Sequence, residues 1–409
     1  MSEWKIHRGD VRRTLKTLPD NHFDAVLSDP PYAYKFMGNR WDYALPSVNV
    51  WTELLRVVKP GAHVLLFGGP RTFHRLVCSV EDAGFIPTDL LMYLHGKGFP
   101  KSLDVAKAID KEKGYWRGRA GKVKSANGAM GGPNFERTPK GAATTPAAQE
   151  WSGYGTALKP AYEPVLLAMK MLDGTFAENV QKWGTGALNI DGCRIGDEER
   201  YNPSASPVGM WESVSGKEKD GRPAVGRWPA NVILNDVAAG LVDATVEPSA
   251  SPKREYGDEG GPSRFFYTTK VSRAERELGC EDLDEGPQGV GALRSNGRGN
   301  GTVKNKHPTL KAIDLTRWLA MLLLPPPRKD GKPRRILVPY SGAASEMIGC
   351  IQAGWDEVIG IEGEAEYIEI AKSRIKNGGV FSGLLDKKLR PKKRERASAG
   401  PTRLRAVRT

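Results

Sequence analysis

Arg334 to Gly363 read RRILVPYSGAASEMIGCIQAGWDEVIGIEG. An apolar run, Ile336-Leu337-Val338, enters a tight turn of small residues. A helical pattern opens near Ser345, and a second apolar run ends in Glu362. This is a complete β-loop-α-β unit, and strands alternating with helices of this length imply an open, mostly parallel α/β sheet.

The first hundred residues carry the same alternation. WKIHRGD reads as a short strand, and VRRTLKTL as a helix ended by Pro19-Asp20-Asn21. FDAVLSD is a near-continuous apolar strand, as expected where both faces of a parallel sheet are covered. VNVWTELLRVV is helical until Lys59-Pro60-Gly61; AHVLLFGG is a strand, RTFHRLVCSVEDAG a helix and DLLMYLHG a further strand. Regular structure resumes at 307, where HPTLKAIDLTRWLAMLLL reads as a helix.

The sheet is therefore expected from both ends of the chain. One catalytic half spans 1–113, and the cofactor half of the same domain spans 307–385. Between them, 114–306 reads as an irregular insertion, with a core strand in 156–172 (KPAYEPVLLAMKM). RWPANVILN and SRFFYTTKV suggest two more strands. Its Trp, Tyr and Arg residues suit either DNA contact or a small satellite core. In the tail spanning 386–409, the stretch from Lys387 onward, KKLRPKKRERASAGPTRLRAVRT, holds ten Lys/Arg against one Glu, so +9 of the chain's net +13 sits there. Such a run is either a solvated tail or a phosphate contact that adds affinity without reading sequence.

Other totals narrow the class. At 409 residues, 39% hydrophobic and 27% charged, the chain reads as a soluble globular protein. No apolar stretch approaches the ~20 residues that span a bilayer. MSEWKIHRGD lacks the apolar core of a signal peptide, so a cytoplasmic chain is expected. Cys78, Cys193, Cys280 and Cys350 form no CxxC pair, and the six histidines do not cluster, so neither a disulfide framework nor a metal site is expected.

Small residues in the turn let a ligand approach the backbone, and the following helix offers free N–H groups. About twenty residues on, Glu362 is placed to accept hydrogen bonds from ribose hydroxyls. Nucleoside binding follows; a purely structural βαβ unit is the competing account. The chain has neither GxGxxG at this turn nor GxxxxGK[ST], so dinucleotides and nucleoside triphosphates are not favoured.

FDAVLSD runs into Asp29-Pro30-Pro31-Tyr32, a double-proline corner that cannot continue a strand. Together these pieces resemble the bacterial and phage DNA amino-methyltransferases, which act on adenine N6 or cytosine N4. Their [DNS]PP[YFW] motif matches residues 29–32, and their D-P-F-x-G-S-G-[ST] turn matches Val338-Pro339-Tyr340-Ser341-Gly342-Ala343-Ala344-Ser345. Their G-I-E strand end matches Gly360-Ile361-Glu362, their H-P-T-x-K-P segment matches His307 to Ala312, and their upstream G-D matches Gly9-Asp10. Target motif first and cofactor turn last is the order of the β class.

The resemblance covers roughly 5–110 and 305–376. It implies a Rossmann-like methyltransferase fold with an inserted recognition region, S-adenosylmethionine as cofactor, double-stranded DNA as partner, and room for a homodimer. Asp29, Pro30, Pro31 and Tyr32 would act on the target base. Asp10, Asp29, His307, Thr309, Lys311, Pro339, Tyr340, Ser341, Gly342, Ala344, Ser345 and Glu362 would hold the cofactor. Adenine N6 is the expected target. Cytosine N4 is its sibling, and a catalytically impaired DNA-binding relative is the alternative of another class. Three departures bear on that alternative: Val338 stands for Asp, Ala344 for Gly and Ala312 for Pro.

Overall fold

The computed structural model describes residues 2–35, 38–95, 102–114, 143–201, 223–245, 262–269, 274–277, 279–284, 286–287, 302–307 and 309–377. The basic tail, Pro308 and the insertion's Trp116, Phe135 and Trp211 lie outside them.

Strands β1 (Glu3–Arg8), β2 (Phe23–Ser28), β3 (Val58–Phe67), β4 (Phe85–Leu94) and β5 (Tyr162–Lys170) precede residue 171. They are followed by β6 (Ile195–Tyr201), β7 (Pro223–Arg227), β8 (Val232–Asn235), β9 (Tyr267–Thr269), β10 (Gly286–Pro287), β11 (Thr302–Val303), β12 (Arg335–Pro339) and β13 (Glu357–Glu362). The helices are α1 (Val11–Leu15), α2 (Val48–Val57), α3 (Phe73–Asp82), α4 (Val105–Glu112), α5 (Pro146–Glu150) and α6 (Phe176–Trp183). After them come α7 (Asp236–Asp243), α8 (Ala274–Glu277), α9 (Ile313–Leu323), α10 (Ser345–Ala353) and α11 (Ala365–Asn377).

Nine strands form one sheet in the order β1-β13-β12-β2-β3-β5-β4-β8-β9. Pairing is parallel from β1 through β3; β5 runs against both β3 and β4, and β8 and β9 are parallel to β4. Mixed α/β architecture with a mostly parallel sheet is thus the fold. RWPANVILN and SRFFYTTKV supply β8 and β9, so the range 114–306 contributes three strands to the main sheet.

Side chains of β2 alternate between two buried layers. Ala25 and Leu27 join Leu65, Phe67, Ile336 and Val338 under α9 and α10. Phe23 and Val26 join Val64, Leu66 and Leu337 under α1, α2 and α3. Helices on both faces explain why these strands read as continuous apolar runs.

Two boundaries differ from the sequence reading. β3 begins at Val58, so Lys59-Pro60-Gly61 lies inside the strand. A register irregularity between Phe23 and Ala25 faces Pro60, where a missing N–H removes no ladder bond. α9 begins only at Ile313, because the preceding residues run extended toward the site described next.

Candidate active site at the carboxyl ends of β2 and β12

β2 and β12 are neighbours whose chains depart in opposite directions, β2 through α2 to β3 and β12 through α10 to β13. Such a switch point opens a crevice beyond the strand ends, where ligands of open α/β sheets bind. Here the two ends are joined. Ser28 Oγ, fully buried, donates to the Pro339 carbonyl over 2.8 Å. Asp29 and Tyr340, the next residue on each strand, therefore leave the sheet side by side.

The Asp29-Pro30-Pro31-Tyr32 corner is held by a buried carboxylate. Asp42 Oδ1 accepts from the backbone N–H of Tyr32 (2.8 Å) and Ala33 (2.9 Å), and Oδ2 from that of Tyr34 (3.1 Å). Ala33 and Lys35 adopt φ of 59° and 51°, a left-handed bend that these bonds stabilise. Thr72 Oγ1 adds a 2.8 Å bond to the Tyr32 carbonyl, and Tyr34 Oη accepts from the Arg71 N–H at 3.0 Å.

Lys311 is the centre of the charge pattern. Its Nζ lies 3.1 Å from Asp29 Oδ2, 3.1 Å from Glu163 Oε2 on β5, and 2.9 Å from Tyr32 Oη. The Tyr32 hydroxyl in turn donates to Asp29 Oδ1 at 2.7 Å. Ring faces of Phe67 and Tyr32 stand 4.7 and 5.3 Å from the ammonium. Burial works to lower the Lys311 ammonium, but Asp29 and Glu163 outweigh it and hold it well above its ordinary value. Burial raises the Asp29 carboxyl, Lys311 opposing and Glu163 adding. The Tyr32 phenol is likewise held well above its usual range by burial, then by Asp29.

Across the crevice, Tyr340, Gly342 and Ala344 carry φ of 57°, 48° and 65°. A Cβ on Gly342 would sit 2.7 Å from His307 Nε2, so this turn and His307 pack without spare room. His307 Nδ1 donates to the Thr309 carbonyl. Glu362, 8% exposed, accepts from the N–H of Gly342 and of Glu364, each at 2.8 Å. Burial raises its carboxyl above the ordinary range. Asp10 caps α1 by accepting from the Arg13 N–H at 3.1 Å, and Gly9 N–H bonds to the Glu362 carbonyl at 2.9 Å. Burial, and then the Asp10 carboxylate, push the Tyr340 phenol up. Ser341 Oγ is buried with no hydrogen-bond partner among the described residues. The Ser345 hydroxyl, by contrast, accepts from Arg374 Nη1 at 3.2 Å and serves the packing under the turn.

So Asp10, Tyr340, Ser341, Gly342, Ala344, His307, Thr309 and Glu362 gather on one side, and Asp29, Pro30, Pro31, Tyr32 and Lys311 on the other. Pro339 joins the two through its carbonyl. The departures have local accounts. Val338 is fully buried in the apolar layer. Ala344 is the residue before α10 and is also fully buried. Ala312 keeps φ at −63°, the value a proline ring would impose.

Three carboxylates escaped the sequence reading. Asp42 gave no signal, since a loop Asp is common. Glu163 did leave one: a charge directly before the apolar run 164–169 of the strand Tyr162–Lys170. Glu346, 5% exposed in the first turn of α10, is pushed up to about 7 by burial, with Asp29 adding to the rise. Among the described residues no group of three His, Cys, Asp or Glu side chains could hold a metal ion, and no helix is long and apolar enough to cross a membrane.

No family model matches this chain, and no curated protein does. Among solved structures it is similar to the M1.HpyAVI–SAM complex, at 13% identity and a TM-score of 0.38, covering 91% of this chain and 99% of that one. It is also similar to PvuII DNA methyltransferase (cytosine-N4-specific), at 11% identity and a TM-score of 0.42, covering 94% of each chain. At such scores the likeness decides nothing about the site, whose chemistry stands on the residues of this chain.

Proposed function

We propose that this chain is an S-adenosylmethionine-dependent DNA methyltransferase acting on the N6 amine of adenine in a base turned out of the duplex. The observation that carries the reading is the junction of Ser28 and Pro339, which sets the Asp29 corner beside the small-residue turn.

The residues of the turn suit the cofactor. α10 opens without a side-chain cap, which leaves backbone N–H groups of its first turn for a ligand. Ser341 Oγ is a buried hydroxyl without a partner among the described residues. Asp10, Tyr340, Gly342, His307 and Glu362 would hold the nucleoside, with Thr309 setting the His307 ring. Bound there, S-adenosylmethionine supplies an electrophilic methyl group.

The work of the chain's own residues lies on the amine. An exocyclic amine is a poor nucleophile, because its lone pair is delocalised into the ring. Asp29 accepts a hydrogen bond from one N–H and the Pro30 carbonyl accepts from the other, which localises that lone pair. Pro31 keeps Pro30 extended and so aims its carbonyl. A carboxylate offers roughly four acceptor positions, and Tyr32 and Lys311 fill two of those on Asp29. Burial favours proton uptake by Asp29 as the amine loses its hydrogen. The Tyr32 ring, tethered through its hydroxyl, stacks on the base and offsets part of the few kcal/mol of unstacking.

Asp rather than Ser at position 29 favours adenine N6, although the same corner would serve cytosine N4. Incubating the purified protein with duplex DNA and S-adenosylmethionine, then weighing the released nucleosides, tests both. N6-methyladenine is the expected product and N4-methylcytosine would correct the base. A folded protein that binds neither cofactor nor methylates either base would overturn the reading in favour of a non-catalytic DNA binder.

A further inference from the structure

We propose that Glu163 is a positioning residue for this reaction: by sharing Lys311 with Asp29, it keeps the Asp29 carboxylate a strong acceptor for the target amine. The proposal rests on the methyltransferase reading above.

Glu163 reaches the site because of topology. β5 is the strand that runs against its neighbours, so its first residues arrive where β3 and β4 end. Tyr93 of β4 pairs with Glu163, and Phe67 of β3 with Val165. Residues 164–169 of β5 are buried, and Glu163 places a carboxylate at the head of that apolar run, facing the crevice.

The ammonium of Lys311 stands 3.1 Å from each carboxylate. Its side chain is 9% exposed and walled by the Phe67 and Tyr32 rings, so it cannot swing into water. Paired with Asp29 alone, that cation would pull density from the oxygen meant for the amine. A second carboxylate at equal distance divides the pull. The other groups around Asp29 are the Tyr32 phenol and Glu346 of α10. Tyr93 of β4 and His95, just past its end, feel the Glu163–Lys311 pair as well. Lys159 acts on His95 and Arg374 on Glu346, each one group removed from Asp29; Glu163 is the carboxylate that shares the Lys311 ammonium with Asp29. Glu163 raises Asp29 and Lys311 alike, in keeping with that balance.

The test compares the full-length protein with Glu163→Gln, an isosteric change at a half-buried position, checked for folding by its Tm. Carbon-13 carboxyl NMR, with the Asp29 signal assigned through Asp29→Asn, reads the Asp29 titration directly and without turnover. The Asp29 midpoint is expected to fall in Glu163→Gln, since Lys311 then acts on Asp29 undivided. In the methyl-transfer assay kcat should drop roughly tenfold to a hundredfold. The acidic limb of its pH profile should move to lower pH, KM for the cofactor should stay unchanged, and Glu163→Asp should restore part of the rate. An unmoved Asp29 midpoint overturns the proposal, as does an unchanged kcat. Wild-type protein that transfers no methyl group while the midpoint still shifts would sink the functional reading and leave the charge sharing standing, so the two failures are told apart.

Discussion

Ser28 and Pro339 are 311 positions apart in the chain, yet the Ser28 hydroxyl meets the Pro339 carbonyl at 2.8 Å in the sheet's interior. This bond sets the spacing between the corner that would grip the base and the turn that would hold the cofactor. Ser28→Ala strands a buried acceptor, which costs about 1–3 kcal/mol. Denaturant unfolding should show that loss with an unchanged m-value, and a ΔΔG near zero would mean that strand pairing alone sets the spacing.

Asp29→Ala should reduce methyl transfer by about 10²- to 10⁴-fold, the range for losing a positioned acid–base group. The fold should survive, because Lys311 keeps Glu163 as its partner. Radiolabel transfer measured beside circular dichroism checks both halves of this expectation. Intact transfer in a folded variant would rule out the proposed role.

Asp42→Ala removes an acceptor shared by three backbone N–H groups, those of Tyr32, Ala33 and Tyr34. With Asp42 only 2% exposed, little water replaces it, and a loss of about 3 kcal/mol or more is expected. Amide exchange at Tyr32 to Tyr34 should accelerate ahead of global unfolding. Protection equal to wild type would show that the prolines hold the corner unaided.

Gly342→Ala meets two obstacles at once. Its φ of 48° lies where an L side chain costs about 1–2 kcal/mol, and the new Cβ would stand 2.7 Å from His307 Nε2. Calorimetry should find S-adenosylmethionine binding weakened at least tenfold. Equal affinity would place the cofactor away from this turn.

His63, buried in β3, is held down to about 4 by loss of water. Above pH 6.5 it is neutral in both the folded and unfolded states, and its effect on stability is nil. As pH falls from 6.5 toward 4, the unfolded chain takes up a proton that the folded chain refuses. About 3 kcal/mol of stability is lost over that window. Burial holds Glu346 and Glu275 up at about 7, so they act in the opposite direction over the same range. They are common to wild type and His63→Leu and cancel in the comparison. The stability gap between the two proteins should therefore shift by about 3 kcal/mol in favour of His63→Leu between pH 7 and pH 4. A gap that does not move with pH would mean that water reaches His63.

Much of this protein was legible in one dimension. Continuous apolar runs such as FDAVLSD and RRILVP could only be strands covered on both faces, because one exposed face would demand alternation. The order of turns and helices between them made the sheet parallel. The prolines at 30 and 31 ended β2 wherever it lay, since neither can donate to a ladder.

Tertiary structure decided what residue periods do not encode. Which strand lies beside which, and which way it runs, depends on partners hundreds of positions away. Reversing β5 between β3 and β4 is what brings Glu163 to Lys311. Packing also chose among the uses of a single residue type: Ser28 and Ser345 are both buried hydroxyls, one joining two motifs and the other spent on Arg374. Lys311, read from sequence as a cofactor residue, pairs with Asp29, because α9 starts late and the extended chain before it reaches the corner. Local pattern determined the sheet, and long-range pairing determined which charges meet at its edge.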